Sequence, residues 1–177
     1  ADDTVGNTLD DDDPSNHVVN PLAFEKYVYV APPASSGEDS CDIDGKPVQL
    51  TFEYTGGDAA GTVTAQPADK HEVTDFNGGP AGTGTVFVRA SDSSNPDDAS
   101  SAFIETTVAL NDEFIVAGSF SSYTYIHIFD ATASTLLQSI AYHTSCSAPI
   151  VLGDVLGGVT LTGYVGQSGV VETLSTG

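Results

Sequence analysis

Tyr123-Thr124-Tyr125-Ile126-His127-Ile128-Phe129 alternates with a period of two. Tyr123, Tyr125, His127 and Phe129 fall on one face of an extended chain, and Thr124, Ile126 and Ile128 fall on the other. Aromatic and β-branched residues in this order fit a pleated, half-buried surface. The same period runs through Leu50, Phe52 and Tyr54 against Thr51, Glu53 and Thr55. Between and beyond these two stretches lie further short apolar runs at 61–65, 85–89, 102–110, 113–119, 136–143, 150–152 and 159–165, punctuated by Gly, Asn, Asp and Ser. Such runs predict an all-β fold, an antiparallel β-sandwich or jelly roll. Apolar residues rarely recur at helical spacing, and a turn of helix within 132–140 is the one competing local reading. The sequence contains no internal repeat.

The first 36 residues read differently. Residues 1–20 are polar and acidic, with Asp10-Asp11-Asp12-Asp13 running into Pro14, the pattern of a solvated arm. Then Leu22-Ala-Phe-Glu-Lys-Tyr-Val-Tyr-Val30 places Leu22, Phe24, Val28 and Val30 on one side and Tyr27 and Tyr29 on the other, a candidate strand over 22–31. Ala31-Pro-Pro-Ala-Ser-Ser-Gly37 follows as a semi-rigid, Pro-rich hinge. The expected organisation is an N-terminal arm over 1–36, with its detached β-strand, and a sandwich domain over 37–177.

Composition excludes several classes of partner. The 177 residues carry 25 Asp and Glu against 4 Lys and Arg, a formal net charge of -21. Four cations cannot build the basic face that nucleic acid or an anionic membrane requires. Hydrophobic residues at 40% leave ample material for a core, so the acidity is not that of a disordered tail. No apolar run reaches 18 residues, so no membrane-spanning helix is expected. The absence of Met and the small residue Ala1 at the start predict a processed, exported chain, secreted or held at a cell surface.

In an exported chain Cys41 and Cys146 are expected to form a disulfide, the alternative being two buried thiols. Closing a loop of this length stabilises by about 4–5 kcal/mol in the chain-entropy model. His17, His71, His127 and His143 form no metal-ligand spacing, and His127 reads as a sheet-face residue. His143-Thr-Ser145-Cys146 has the residue types of a nucleophilic cluster, but a disulfide would consume the thiol and Ser145 lies in no Gly-x-Ser-x-Gly elbow. No enzymatic activity is expected, and no cofactor is required. Calcium is the candidate ligand: Asp39, Asp42 and Asp44 precede Gly45, and the polar loop 90–101 offers Asp92, Asn95, Asp97 and Asp98. The first group fails as an EF-hand, because Thr51 stands where the bidentate Glu belongs; the same carboxylates also serve as turn formers. The glycine-rich stretch 75–84 lacks the Lys of a phosphate-binding loop and reads as a hairpin connection. There is no Asn-x-Ser/Thr sequon, and the Ser-rich stretches 33–36 and 91–101 are candidate sites for O-linked glycans.

Cys41-Asp-Ile-Asp-Gly-Lys-Pro-Val-Gln-Leu-Thr-Phe-Glu-Tyr-Thr-Gly56, with His143-Thr-Ser-Cys-Ser-Ala-Pro-Ile-Val-Leu-Gly-Asp154 further on, resembles an uncharacterised secreted bacterial domain family. The hallmarks are a Gly-Lys-Pro-x-x-Leu-Thr-x-x-Tyr-Thr-Gly opening and a His-Thr-Ser-Cys-Ser-x-Pro closing motif. The resemblance covers residues 41–165, is weakest over 57–110, and implies an extracellular β-sandwich of surface and matrix proteins without known catalytic residues.

The arm resembles the donor strand of pilus-type fibres, in which each subunit completes its neighbour's sheet. Burying Leu22, Phe24, Val28 and Val30 would contribute about 6–12 kcal/mol before ordering costs. Donor and acceptor surfaces differ, so the contact runs head to tail and yields a filament of identical subunits. The competing readings are a strand folded back into its own domain, and a monomeric cell-surface module that binds carbohydrate or calcium. The C-terminal segment Gly169–Leu174 either completes the sheet or is itself the exchanged strand.

Overall fold

The computed structural model describes residues 46–57, 63–66, 70–145 and 150–174, with backbone alone at 63–66. Strand β1 is Pro47–Tyr54, β2 Val63–Gln66, β3 His71–Asp75, β4 Thr85–Ser91, β5 Ala102–Ala109 and β6 Glu113–Ala117. Then come β7 Tyr123–Asp130, β8 Leu136–His143, β9 Val155–Leu156, β10 Val159–Gly166 and β11 Val171–Thr173. The only helical element among the described residues is a 3-10 turn, Ala99–Ser101.

Two antiparallel sheets pack as a sandwich. One has five strands in the order β9-β10-β1-β6, with β11 also on β10; the other has six, in the order β2-β3-β8-β7-β4-β5. The alternation in the sequence explains their inner faces. Leu50, Phe52 and Tyr54 of β1 and Ile126 and Ile128 of β7 are fully buried, facing one another with Val88, Ile140, Tyr142 and Leu161 in one core. Phe52 stacks on Phe114 at 5.7 Å and meets Tyr142 edge-on at 5.6 Å, so aromatic contacts link β1 to both sheets.

Residues 136–143 form β8, the strand their apolar run predicts, and not the competing turn of helix; Asp130 ties the preceding turn, its Oδ1 accepting from the amides of Ser134 at 2.8 Å and Thr135 at 3.0 Å. Two other local expectations are corrected. Residues 150–152 are not a strand; Ile150 and Leu152 instead pack against the core from an irregular segment. The stretch 75–84 is no hairpin, since β3 and β4 are separated by β8 and β7 in the same sheet. It crosses the end of the sandwich, where the Tyr54 hydroxyl donates to the carbonyl of Thr83 at 2.7 Å and Pro80 lies against Gly57 and Gly158. The C-terminal segment completes the five-stranded sheet in its own chain, as β11.

Candidate functional site

Strand β10 positions the most distinctive surface of the described sandwich. One edge of β10 pairs with β1 along its length, from Val159↔Tyr54 to Gly166↔Pro47. The opposite edge is composite. β9 pairs there through Val155↔Thr160 and Leu156↔Val159, and β11 through Gly163↔Thr173 and Val165↔Val171. Between them the amide of Gly153 donates to the Leu161 carbonyl at 2.8 Å, and that of Leu174 donates to the Thr162 carbonyl at 2.6 Å. Two separate pieces of chain thus share the work of one edge strand. Around them Val151, Val155, Val170, Val171 and Leu174 are exposed, Val155 by 60% and Val171 by 63%. Exposed aliphatic residues gathered along a sheet edge are what a further strand would cover. The chain enters at the same end, where the amide of Gln167 donates to the Lys46 carbonyl at 2.9 Å.

The donor-strand residues Leu22, Phe24, Val28 and Val30 and the hinge lie outside the described residues, as do Cys41, Cys146, Asp39, Asp42 and Asp44. The remaining calcium candidates are placed. Asp92 Oδ1 accepts from the Ser121 hydroxyl at 2.5 Å, and Asn95 Oδ1 accepts from the Asp97 amide at 3.1 Å. Asp98 accepts from the Ser100 amide at 3.0 Å and from the hydroxyls of Ser100 and Ser101 at 2.6 and 2.8 Å, capping the 3-10 turn. Those hydroxyl donors, Ser100 first, hold its carboxyl down at about 2. Among the described residues no group of three or more His, Cys, Asp or Glu is arranged to hold a metal ion.

The loop 92–101 folds over the outer face of the six-stranded sheet. Arg89 holds it there: one guanidinium nitrogen donates to the Pro96 carbonyl, while Nε and the other bond Glu105 Oε1 at 2.8 and 2.6 Å. Beneath the loop His127 is fully buried. Its Nε2 lies 3.0 Å from the Ser93 carbonyl, which can only accept, so Nε2 carries the proton and Nδ1 accepts from the Ser139 hydroxyl at 2.8 Å. Burial lowers the His127 pKa and keeps the ring neutral. Beside the loop runs a groove of about 200 Å³, lined by Glu72, Phe76, Ser94, Tyr125 and Ser139 among others. The sequence marked the alternation that puts His127 on this face; the overlying loop and the Arg89 anchor leave no comparable pattern. At the other end of β8, the Ser145 hydroxyl lies 3.2 Å from His143 Nε2.

Fold and site together define an antiparallel two-sheet sandwich with one edge assembled from two short pieces of chain. The chain belongs to the family described as a domain of unknown function (DUF7467), whose family model matches residues 46–164. No curated protein and no solved structure matches it.

Proposed function

We propose that the chain is the structural subunit of an extracellular filament, assembling head to tail by insertion of the 22–31 strand of one copy into the sandwich of the next. The observation that carries this reading is the composite edge of β10, where an eight-residue strand is covered by pieces of two and three residues flanked by exposed valines. A strand added along such an edge gains main-chain hydrogen bonds and covers apolar surface at once. The acidic surface suits an exported subunit, keeping copies apart until strand pairing outweighs repulsion. Negative-stain microscopy of the full chain tests it: filaments are expected, and their loss on deleting residues 22–31. A uniformly monomeric full chain would contradict it.

A second reading, a cell-surface module for a neutral carbohydrate, is favoured by the groove beside the 92–101 loop, where Phe76 and Tyr125 adjoin the carboxylate of Glu72 and several hydroxyls. Glycan binding that is lost in Tyr125→Ala without a change in melting temperature would support it.

A further inference from the structure

β11 is a poorly matched edge strand. In its register Glu172 stands opposite Tyr164, which in turn stands opposite Leu50, and both Tyr164 and Leu50 belong to the core. The position that would extend the apolar inner face therefore carries a carboxylate, while Val171 lies on the outer face, mostly exposed. All three residues of β11 are exposed, and the strand lies beyond the 46–164 span matched by the family. Its partner β10 is eight residues long, and beyond β11 its edge is met by Leu174, by Gly153 and Asp154 and by β9, so a single continuous strand entering in place of β11 would replace bonds now shared among separate pieces of chain.

We propose that β11 is a self-complementing strand that occupies the acceptor edge of β10 in the free subunit, and that the 22–31 strand of a second copy displaces it during assembly. This rests on the filament reading above. By sequence alternation an extended 22–31 segment would set the four apolar residues Leu22, Phe24, Val28 and Val30 on one face, with Lys26 among them, where β11 offers that face only Glu172. Reach is sufficient. Lys46 leaves the sandwich beside the turn into β11, and the 16 residues from Val30 to Lys46 (46 minus 30) span up to about 50 Å when extended, against about 26 Å for β10. Because β10 is already met by β9 and β11 of its own chain, the free subunit stays soluble, and assembly exchanges a short mismatched strand for an intact one.

The test uses the full chain carrying Val165→Cys and Val171→Cys. Gly166 N donates to the Val170 carbonyl and Leu174 N donates to the Thr162 carbonyl, so alternation makes Val165 and Val171 a non-hydrogen-bonded pair, the close approach that a disulfide can span. Oxidised, this variant is expected to keep the wild-type circular dichroism, remain monomeric and form no filaments. Reduction restores them, whereas the wild type assembles under both conditions. Glu172→Pro, which removes a ladder amide from β11, is expected to assemble faster than wild type. Wild-type filament yield from the oxidised variant would overturn the displacement of β11. If those filaments still vanish on deleting residues 22–31, the donor strand stands and its acceptor is another edge; a wild type that stays monomeric throughout overturns both.

Discussion

The amide of Gly158 donates to the side-chain oxygen of Gln138 at 2.7 Å, pinning the turn between β9 and β10 to β8 of the opposite sheet. Gln138 Nε2 in turn donates to Asp75 Oδ1 at the end of β3, so one almost fully buried Gln links the start of the crossover loop to the turn between β9 and β10. Gln138→Leu leaves the Gly158 amide and the Asp75 carboxylate without this partner and should cost about 1–3 kcal/mol, since a buried group stripped of its hydrogen bond keeps its desolvation penalty. Gly157→Ala should also destabilise, because Gly157 has φ of +57° and an added Cβ would lie 2.5 Å from Gln138 Oε1, so the two substitutions should couple when combined. Urea unfolding of the full chain reads both effects.

Tyr54 closes the same end of the sandwich. Tyr54→Phe should lose about 1 kcal/mol through the vacated Thr83 carbonyl while the ring stays in the core. Burial raises the Tyr54 pKa above 10.0. A raised acid is stabilising below its unfolded pKa, and that contribution declines as pH climbs from 10.0 to the folded value. Wild type should therefore lose stability above this pH more steeply than Tyr54→Phe, a difference thermal melts at rising pH would show.

His127 gives the opposite window. Its folded pKa lies below 6.5, chiefly through burial, so the unfolded chain takes up a proton first as pH falls. Stability is full above 6.5 and declines from there to the folded value. His127→Gln should flatten this difference in melting temperature between pH 7.5 and 5.5. Arg89→Ala releases the loop from its Pro96 and Glu105 anchors and removes a nearby positive charge, so the His127 pKa should rise toward 6.5, as an NMR titration would record.

The net charge of -21 opposes any contact between copies. Because salt shortens the reach of such repulsion to about 10 Å at 0.1 M, filament yield should rise with sodium chloride. Light scattering across a salt series tests this, and a yield that falls with salt would point to attraction between opposite charges instead.

Much of the sandwich was legible because burial follows the pleat: Leu50, Phe52 and Tyr54 alternate in the sequence and are fully buried in the fold. Gln138 was not, since an amide in a core-facing position has no hydropathy signal and gains its place through Asp75 and Gly158, distant in sequence. His71–Asp75 leaves no hydropathy signal because Glu72 and Thr74 alternate with an inward face whose buried residues are His71 and Val73, only the second of them apolar. β9 and β11, at two and three residues, are too short for any period to register, so the composite edge could emerge only from tertiary pairing. Likewise, the burial of His127 depends on the loop above it, not on its own strand.

Head-to-tail donation is tested most directly by mixing full-length chain with copies lacking residues 22–31. An armless copy can accept a strand but cannot donate one, so it terminates growth. Filament length measured by electron microscopy should fall steadily as the armless fraction rises, with armless copies alone remaining folded monomers. Filaments of unchanged length in the mixture, or filaments built by the armless copies alone, would contradict assembly through the N-terminal strand.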